Sequence, residues 1–221
     1  MSQAPLQWQV IESLPFAENC YILYRCDGGE CLVVDPGTEP DKILAFLDQH
    51  RLRPRVVLNT HGHADHIAGN AFLKQRWPQV PLWIGRDDAP KLTDPQANLS
   101  APFGLPLVSP PADRLLEHGQ VLELGVAQLE VFHTPGHSRG HVVFLCRDTQ
   151  PWLALVGDVL FAGGIGRTDF PDGDMDQLLR SIREVLFRWP EETVILPGHG
   201  PVSTIGQEKR HNPFVGTGVD S

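Results

Sequence analysis

No apolar run in this 221-residue chain approaches the roughly 20 residues needed to span a bilayer. The opening Met1-Ser2-Gln3-Ala4-Pro5-Leu6-Gln7 has neither the basic residues nor the apolar stretch of a secretory signal, and neither end carries a lipidation motif. The expectation is a cytoplasmic protein with no membrane partner. Basic residues are scarce: 18 Lys and Arg stand against 27 Asp and Glu, a formal net charge of -9. Such a chain lacks the cationic patch by which counterion release drives nucleic-acid binding, so no nucleic-acid partner is expected. Cysteine is sparse too. Cys20, Cys26, Cys31 and Cys146 fit neither a disulfide framework nor a paired-thiolate metal spacing and read as reduced thiols. With 41% hydrophobic and 20% charged residues the composition is that of an ordinary globular protein. What stands out is ten histidines, and their positions carry the argument.

Short apolar runs bounded by turn residues predict strands at Cys20 to Tyr24 and Cys31 to Val34, the second closed by Asp35-Pro36-Gly37. A helix is predicted over Asp41 to His50, a strand over Arg55 to Asn59, a second helix over Ile67 to Trp77, and a strand over Leu82 to Ile84. Thr93 to Ala112, rich in Pro, Gly, Ser and Ala, predicts a long loop of the kind that rims a site. Further strands are expected near Val121 to Leu124, Gln128 to Phe132, His141 to Leu145 and Trp152 to Val156, then a glycine-rich loop from Ala162 to Thr168. Met175, Leu178, Leu179, Ile182, Val185, Leu186 and Trp189 lie on one helical face, with Asp174 and Gln177 as a start signal. A last strand, Thr193 to Leu196, precedes a polar tail.

Four of these strands run directly into metal-capable residues. Val56-Val57-Leu58-Asn59-Thr60 leads into His61-Gly62-His63-Ala64-Asp65-His66, and Glu130-Val131-Phe132-His133-Thr134-Pro135-Gly136 leads to His137. Leu153-Ala154-Leu155-Val156-Gly157 leads to Asp158, and Val194-Ile195-Leu196-Pro197-Gly198 to His199. If the strands share a sheet, five histidines and two aspartates meet at one edge, where open α/β sheets place their ligands. In an extended exit, His61 and His63 point to the same side and can grip one ion, while Asp65 and His66 face a second as the chain turns into a helix. A shared carboxylate such as Asp158 can bridge the pair. Two divalent cations against two carboxylates leave a positive site, which draws an anionic substrate to an acidic chain. Gly62, Gly136, Gly157 and Gly198 permit tight backbone beside a crowded site. His50, His118 and His211 read as ordinary loop residues, and His133 as core or strand surface.

These motifs, from Asp35-Pro36-Gly37 to Pro197-Gly198-His199-Gly200, resemble the metallo-β-lactamase fold hydrolases, and within them the short, single-domain glyoxalase II-like (hydroxyacylglutathione hydrolase-like) branch. The resemblance implies an α/β chain folded as one αββα sandwich over residues 1–221. It implies that His61, His63 and His137 hold a first metal, that Asp65, His66 and His199 hold a second, and that Asp158 bridges them. Asp65 and Asp158 are then catalytic as well, Asp65 by orienting the attacking hydroxide. Asp158 stands where class B1 lactamases have a cysteine, which speaks against antibiotic hydrolysis. Asp35 and His141 are expected to orient ligands without ligating. Only 22 residues follow His199, too few for the helical domain with which full glyoxalase II enzymes bind glutathione.

The implied activity is hydrolysis of a small anionic thioester, S-lactoylglutathione or another S-acylglutathione, by a hydroxide bridging two divalent ions. Ligation by nitrogen and oxygen suits zinc, iron or manganese, with zinc the first expectation. Gly166-Arg167-Thr168-Asp169-Phe170 resembles a segment of the short branch, and Arg167 is expected to bind a substrate carboxylate. The short relatives also end in a stretch like Arg210-His211-Asn212-Pro213-Phe214. The alternative is a persulfide dioxygenase of the same superfamily, with one iron on His61, His137 and Asp158.

Overall fold

The computed structural model, which describes residues 4–26 and 28–217, places twelve strands in two six-stranded sheets and two more in a small hairpin. The first follows chain order: β1 (Leu6–Ser13), β2 (Glu18–Arg25), β3 (Glu30–Val34), β4 (Arg53–Asn59), β5 (Leu82–Gly85) and β6 (Arg114–Leu116). The pairs β1–β2 and β2–β3 are antiparallel; from β3 to β6 the pairing is parallel. Between these strands run α1 (Pro40–His50), α2 (Ala64–Ile67) and α3 (Asn70–Arg76). The second sheet takes β7 (Val121–Glu123), β8 (Gln128–His133), β9 (Val142–Cys146), β10 (Leu153–Gly157), β13 (Val194–Pro197) and β14 (Ser203–Thr204), in the spatial order 14-13-10-9-8-7. A small hairpin, β11 (Leu160–Phe161) and β12 (Gly164–Ile165), lies between β10 and α4 (Met175–Glu184), and α5 (Ile205–His211) follows β14.

Alternation along the strands explains the layering, because successive side chains leave a strand on opposite faces. Val56 and Leu58 of β4 and Val142 and Phe144 of β9 join one buried cluster between the sheets. Val57 packs outward with Ile43, Leu47 and Leu73 of α1 and α3, and Val143 and Leu145 pack outward with Leu178 and Ile182 of α4. Both faces of each sheet are therefore covered, which gives the expected αββα sandwich.

Several local expectations need correction. The site-bearing strands do not share a sheet: β4 lies in the first, and β8, β10 and β13 lie in the second. Their ends converge because the two sheets are stitched along one edge, where Val142 N–H donates to Thr60 O at 2.8 Å and Asn19 N–H to Gly198 O at 2.7 Å. The single helix expected over 67–77 is two helices broken at Gly69, whose N–H turns aside to Pro36 O at 2.7 Å. The half-exposed edge strand β1 and the short β6 are additional to the expected strands, and β14 and α5 occupy the segment expected as a polar tail. In α5 the burial falls on Ile205, Gly206 and Glu208, a pattern without an apolar stripe. The Asp174 start signal of α4 is real, its carboxylate accepting from Gln177 N, but Met175 is exposed and the helix ends at Glu184 before a 3-10 turn, Leu186–Arg188. His50 and His211 occupy the last turns of α1 and α5 and are not loop residues.

Candidate metal centre

Past β4 the chain bends at Thr60 and His61, is extended again at His63 and then enters α2, so His61 and His63 precede the helix while Asp65 and His66 sit on its only turn. The turn after β8 delivers His137, the end of β10 delivers Asp158, and the end of β13 delivers His199. Close packing sets the backbone here. A Cβ on Gly198 would collide with Asp158 Oδ1, and Gly136, at φ +135°, lies against the backbone of Leu178 where no side chain fits.

All seven side chains expected from the sequence come together. His61, His63 and His137 form one group, Asp65, His66 and His199 another, and Asp158 joins them with His61 and His66. Hydrogen bonds on the far side of each ring decide which nitrogen faces inward. His137 Nδ1–H donates to Arg167 O at 2.8 Å, His66 Nδ1–H to Asp35 Oδ2 at 3.0 Å, and His199 Nδ1–H to Phe16 O at 3.1 Å. Thr60 Oγ1 donates to Asp35 Oδ2 at 2.7 Å and is thereby free to accept from His61 Nδ1–H at 3.1 Å. Each of these four rings thus turns its Nε2 to the centre.

The consequence is a site that calls for a cation. His61 Nε2, His63 Nδ1 and His137 Nε2 lie within 2.9 to 3.3 Å of one another, lone pairs facing with a positive ion as their natural common partner. His63 Nε2, His66 Nε2 and Asp158 Oδ1 are buried without a hydrogen-bond partner. On the other side, Asp158 Oδ2 is 3.5 Å from both His137 Nε2 and His199 Nε2, and Asp65 Oδ2 is 3.3 Å from His199 Nε2. Nitrogen and carboxylate donors in this number fit two divalent ions sharing Asp158.

Titration follows the same division. Burial, then the neighbouring rings, holds His61 and His63 well below the usual histidine range, and burial does the same to His141. At His66 burial is outweighed by Asp158, Asp65 and Asp35, which lift its pKa well above the ordinary value. His199 is raised as well, its burial overcome by Asp65 and Asp158. Asp158 is held low, its burial overcome by His66, His137 and His199. Positive charge is favoured where His66, His199 and the carboxylates meet.

The supporting residues hold the candidate ligands from behind. Asp35 sits at φ +50°, a conformation that costs free energy in a residue with a side chain, and it accepts from Thr60 N–H, Thr60 Oγ1 and His66. His141 Nε2 accepts from Asp158 N–H at 3.1 Å and its Nδ1 faces Thr134 Oγ1 at 3.3 Å, so neither ring nitrogen is spare for an ion. His133 lies half-buried at the end of β8 with its Nε2 on Arg139 O. Arg167 lines the cavity over the cluster, stacked over Phe170 at 4.5 Å and paired through Nε and Nη2 with Asp169 at 2.9 and 2.8 Å.

Sequence reasoning missed one buried hub. Asp88 accepts from Gly62 N–H at 2.8 Å, Gly140 N–H at 2.7 Å and Ser138 Oγ, so one carboxylate ties the His61-Gly62-His63 segment to the loop carrying His137. Lys91, buried beside it, reaches Ser138 Oγ at 2.5 Å and Asp172 at 2.7 Å. Asp88 follows the end of β5, the same strand-end signal that marked the other residues; Lys91 has no such signal.

The Metallo-beta-lactamase superfamily matches residues 14–199. The chain is 37% identical over 211 residues to the probable metallo-hydrolase YqgX of Bacillus subtilis, covering 95% of this chain and 98% of that one. It is 36% identical over 209 residues to the hydroxyacylglutathione hydrolase GloC of Haemophilus influenzae, covering 94% and 97%. Among solved structures, the BLEG-1 B3 metallo-beta-lactamase superposes with a TM-score of 0.90 at 37% identity, covering 95% of this chain and 99% of that one. TTHA1623 in a di-iron-bound form gives 0.81 at 37%, covering 93% and 99%, and ETHE1 from Myxococcus xanthus gives 0.77 at 28%, covering 95% and 84%. With a B3 enzyme this similar, the argument from Asp158 against antibiotic hydrolysis reaches class B1 alone. The family match over most of the length and these curated relatives, both above 30% identity, agree with the paired groups of candidate ligands, and the chain belongs to the metallo-beta-lactamase superfamily.

Proposed function

We propose that the protein is a dinuclear metal-dependent hydrolase of thioesters, acting on S-acylglutathiones such as S-lactoylglutathione. The observation that carries this reading is Asp158, whose Oδ2 stands 3.5 Å from His137 Nε2 and from His199 Nε2 and so belongs to both ligand groups. His61, His63 and His137 would hold one ion and Asp65, His66 and His199 the other, with zinc, iron and manganese all suited to the donors. Such ions, when bound, bring the pKa of a water near neutrality and polarise a carbonyl. The chain's own residues do the rest. Asp65, kept ionised because His66 and His199 outweigh its burial, accepts a hydrogen bond from the attacking water and orients it. A departing thiolate is a good leaving group, so no dedicated acid is required. Arg167, two-thirds exposed at the cavity wall, offers its remaining N–H groups to a substrate carboxylate. The similarity to GloC supports this substrate class. All four cysteines are free thiols, which suits a reducing cytoplasm.

A second reading, an iron persulfide dioxygenase using His61, His137 and Asp158, is favoured by the 28% identity to ETHE1. Metal analysis of the purified protein with assays on S-lactoylglutathione, glutathione persulfide and a cephalosporin separates them. Two metals per chain with thioester turnover is the expected result. One iron per chain with oxygen uptake on the persulfide would replace it, and turnover of the cephalosporin alone would move the protein to the lactamases.

A further inference from the structure

The cavity above Asp158, about 270 Å³ in volume, is walled mainly by rings. Phe16, in the turn between β1 and β2, and Phe103, in a 3-10 turn at Ala101–Phe103, meet edge to face at 5.9 Å across its mouth while remaining 46% and 69% exposed. Phe170 lies 5.2 Å from the His63 ring and Phe161 lies 6.0 Å from the His199 ring, so aromatic surface flanks both ligand groups. Ala64 and Leu99 complete its apolar wall.

The polar side chains of that wall are already engaged. Asn98 donates to Lys91 O and Leu107 O and accepts from Ser100 N–H. Arg167 gives two N–H groups to Asp169. The others, His63, Asp65, His137, Asp158 and His199, belong to the ligand cluster. A glutathione moiety presents two carboxylates and an ammonium group, and among the described lining residues one half-committed guanidinium is the only side chain outside the cluster left to meet them. Specific binding energy must therefore come from apolar contact, and exposed rings at the mouth of a cavity gain most when a ligand covers them.

We propose that the cavity lined by Phe16, Phe103, Phe161 and Phe170 is an acyl-group subsite, and that the enzyme prefers thioesters whose acyl arm is aromatic or extended and apolar. This deepens the thioester reading and rests on it. The thiol carrier contributes little to selection, because the wall offers it few polar partners.

The test uses the metal-loaded protein and two matched pairs. S-Mandeloylglutathione and S-lactoylglutathione differ by phenyl for methyl and report selection in turnover. The thioethers S-phenacylglutathione and S-acetonylglutathione differ in the same way, cannot be hydrolysed, and report it by calorimetric binding. We expect the phenyl member of each pair to be favoured about tenfold or more, the turnover ratio to persist when N-acetylcysteamine replaces glutathione, and both ratios to collapse toward one in F16S/F103S. Those two rings are exposed, so their loss does not threaten folding. Equal binding of the two thioethers, absence of binding by either, or a ratio unchanged in the double variant overturns the subsite. Tighter phenacyl binding without hydrolysis of any thioester upholds the subsite and overturns the thioester reading instead.

Discussion

Asp158 is the residue on which the two halves of the centre depend, since its carboxylate stands within 3.5 Å of rings from both groups. Asp158→Ala is expected to retain fewer than two metals per chain and to lose more activity than the roughly 100-fold that follows loss of a supporting residue behind a ligand. Metal analysis and steady-state rates check this together; a variant holding two metals at full activity would sink the dinuclear assignment. Asp88 acts one step further back. Asp88→Ala strands two backbone N–H groups and Ser138 and removes one partner of Lys91. The expected cost is on the order of 3 kcal/mol in urea unfolding, with metal affinity down about 10-fold or more because Gly62 and Ser138 flank three ligands. Arg167 is different: remote from the reacting carbon, it binds ground and transition states alike, so Arg167→Ala should raise KM and leave kcat nearly unchanged. A large fall in kcat at constant KM would place it at the chemistry.

Among the elements, α5 has the least expected role. Glu208 and Asn212 at its inner side are buried, Glu208 accepting from Gly163 N–H at 2.8 Å and Asn212 Nδ2 donating to Gly164 O at 2.9 Å. They hold the β11–β12 hairpin, which carries Phe161 and runs on to Arg167, whose carbonyl fixes His137. The Arg-x-Asn-Pro-Phe stretch thus reaches the site through a hairpin. Asn212→Ala leaves buried carbonyl and carboxylate oxygens short of donors, at about 1 to 3 kcal/mol, and should raise KM through the displaced hairpin. Urea unfolding and kinetics on the same preparation test both; an unchanged KM would confine α5 to stability.

For the whole molecule, the ligand cluster makes metal loading, folding and pH interdependent. Without a cation, the carboxylates favour protons on His66 and His199. Loading a divalent ion must displace them, so it releases protons, and apparent affinity rises with pH until both rings are neutral. Titration calorimetry in buffers of different ionisation heat should show proton release that shrinks as pH rises; uptake independent of buffer and pH would contradict this. Because a bound ion stabilises only the folded state, chelation should lower Tm.

The sequence by itself determined the site's chemistry and most of its frame. Strand-end placement of His61, His63, Asp65, His66, His137, Asp158 and His199 is a local pattern, legible because a strand delivers whatever follows it to its edge. The covered strands showed as dense Val, Leu and Ile, and the motifs marked the fold. What only the tertiary structure decided depends on contacts far apart in the chain. Asp88 reaches Gly62 and Gly140 across 26 and 52 positions, and the assignment of β4 and β10 to different sheets turns on which strands each pairs with. Phe16, Phe103, Phe161 and Phe170 surround one cavity from four separate segments. A buried polar hub and a ring-lined cavity have no period for a sequence to display, because packing assembles them and no single element contains them.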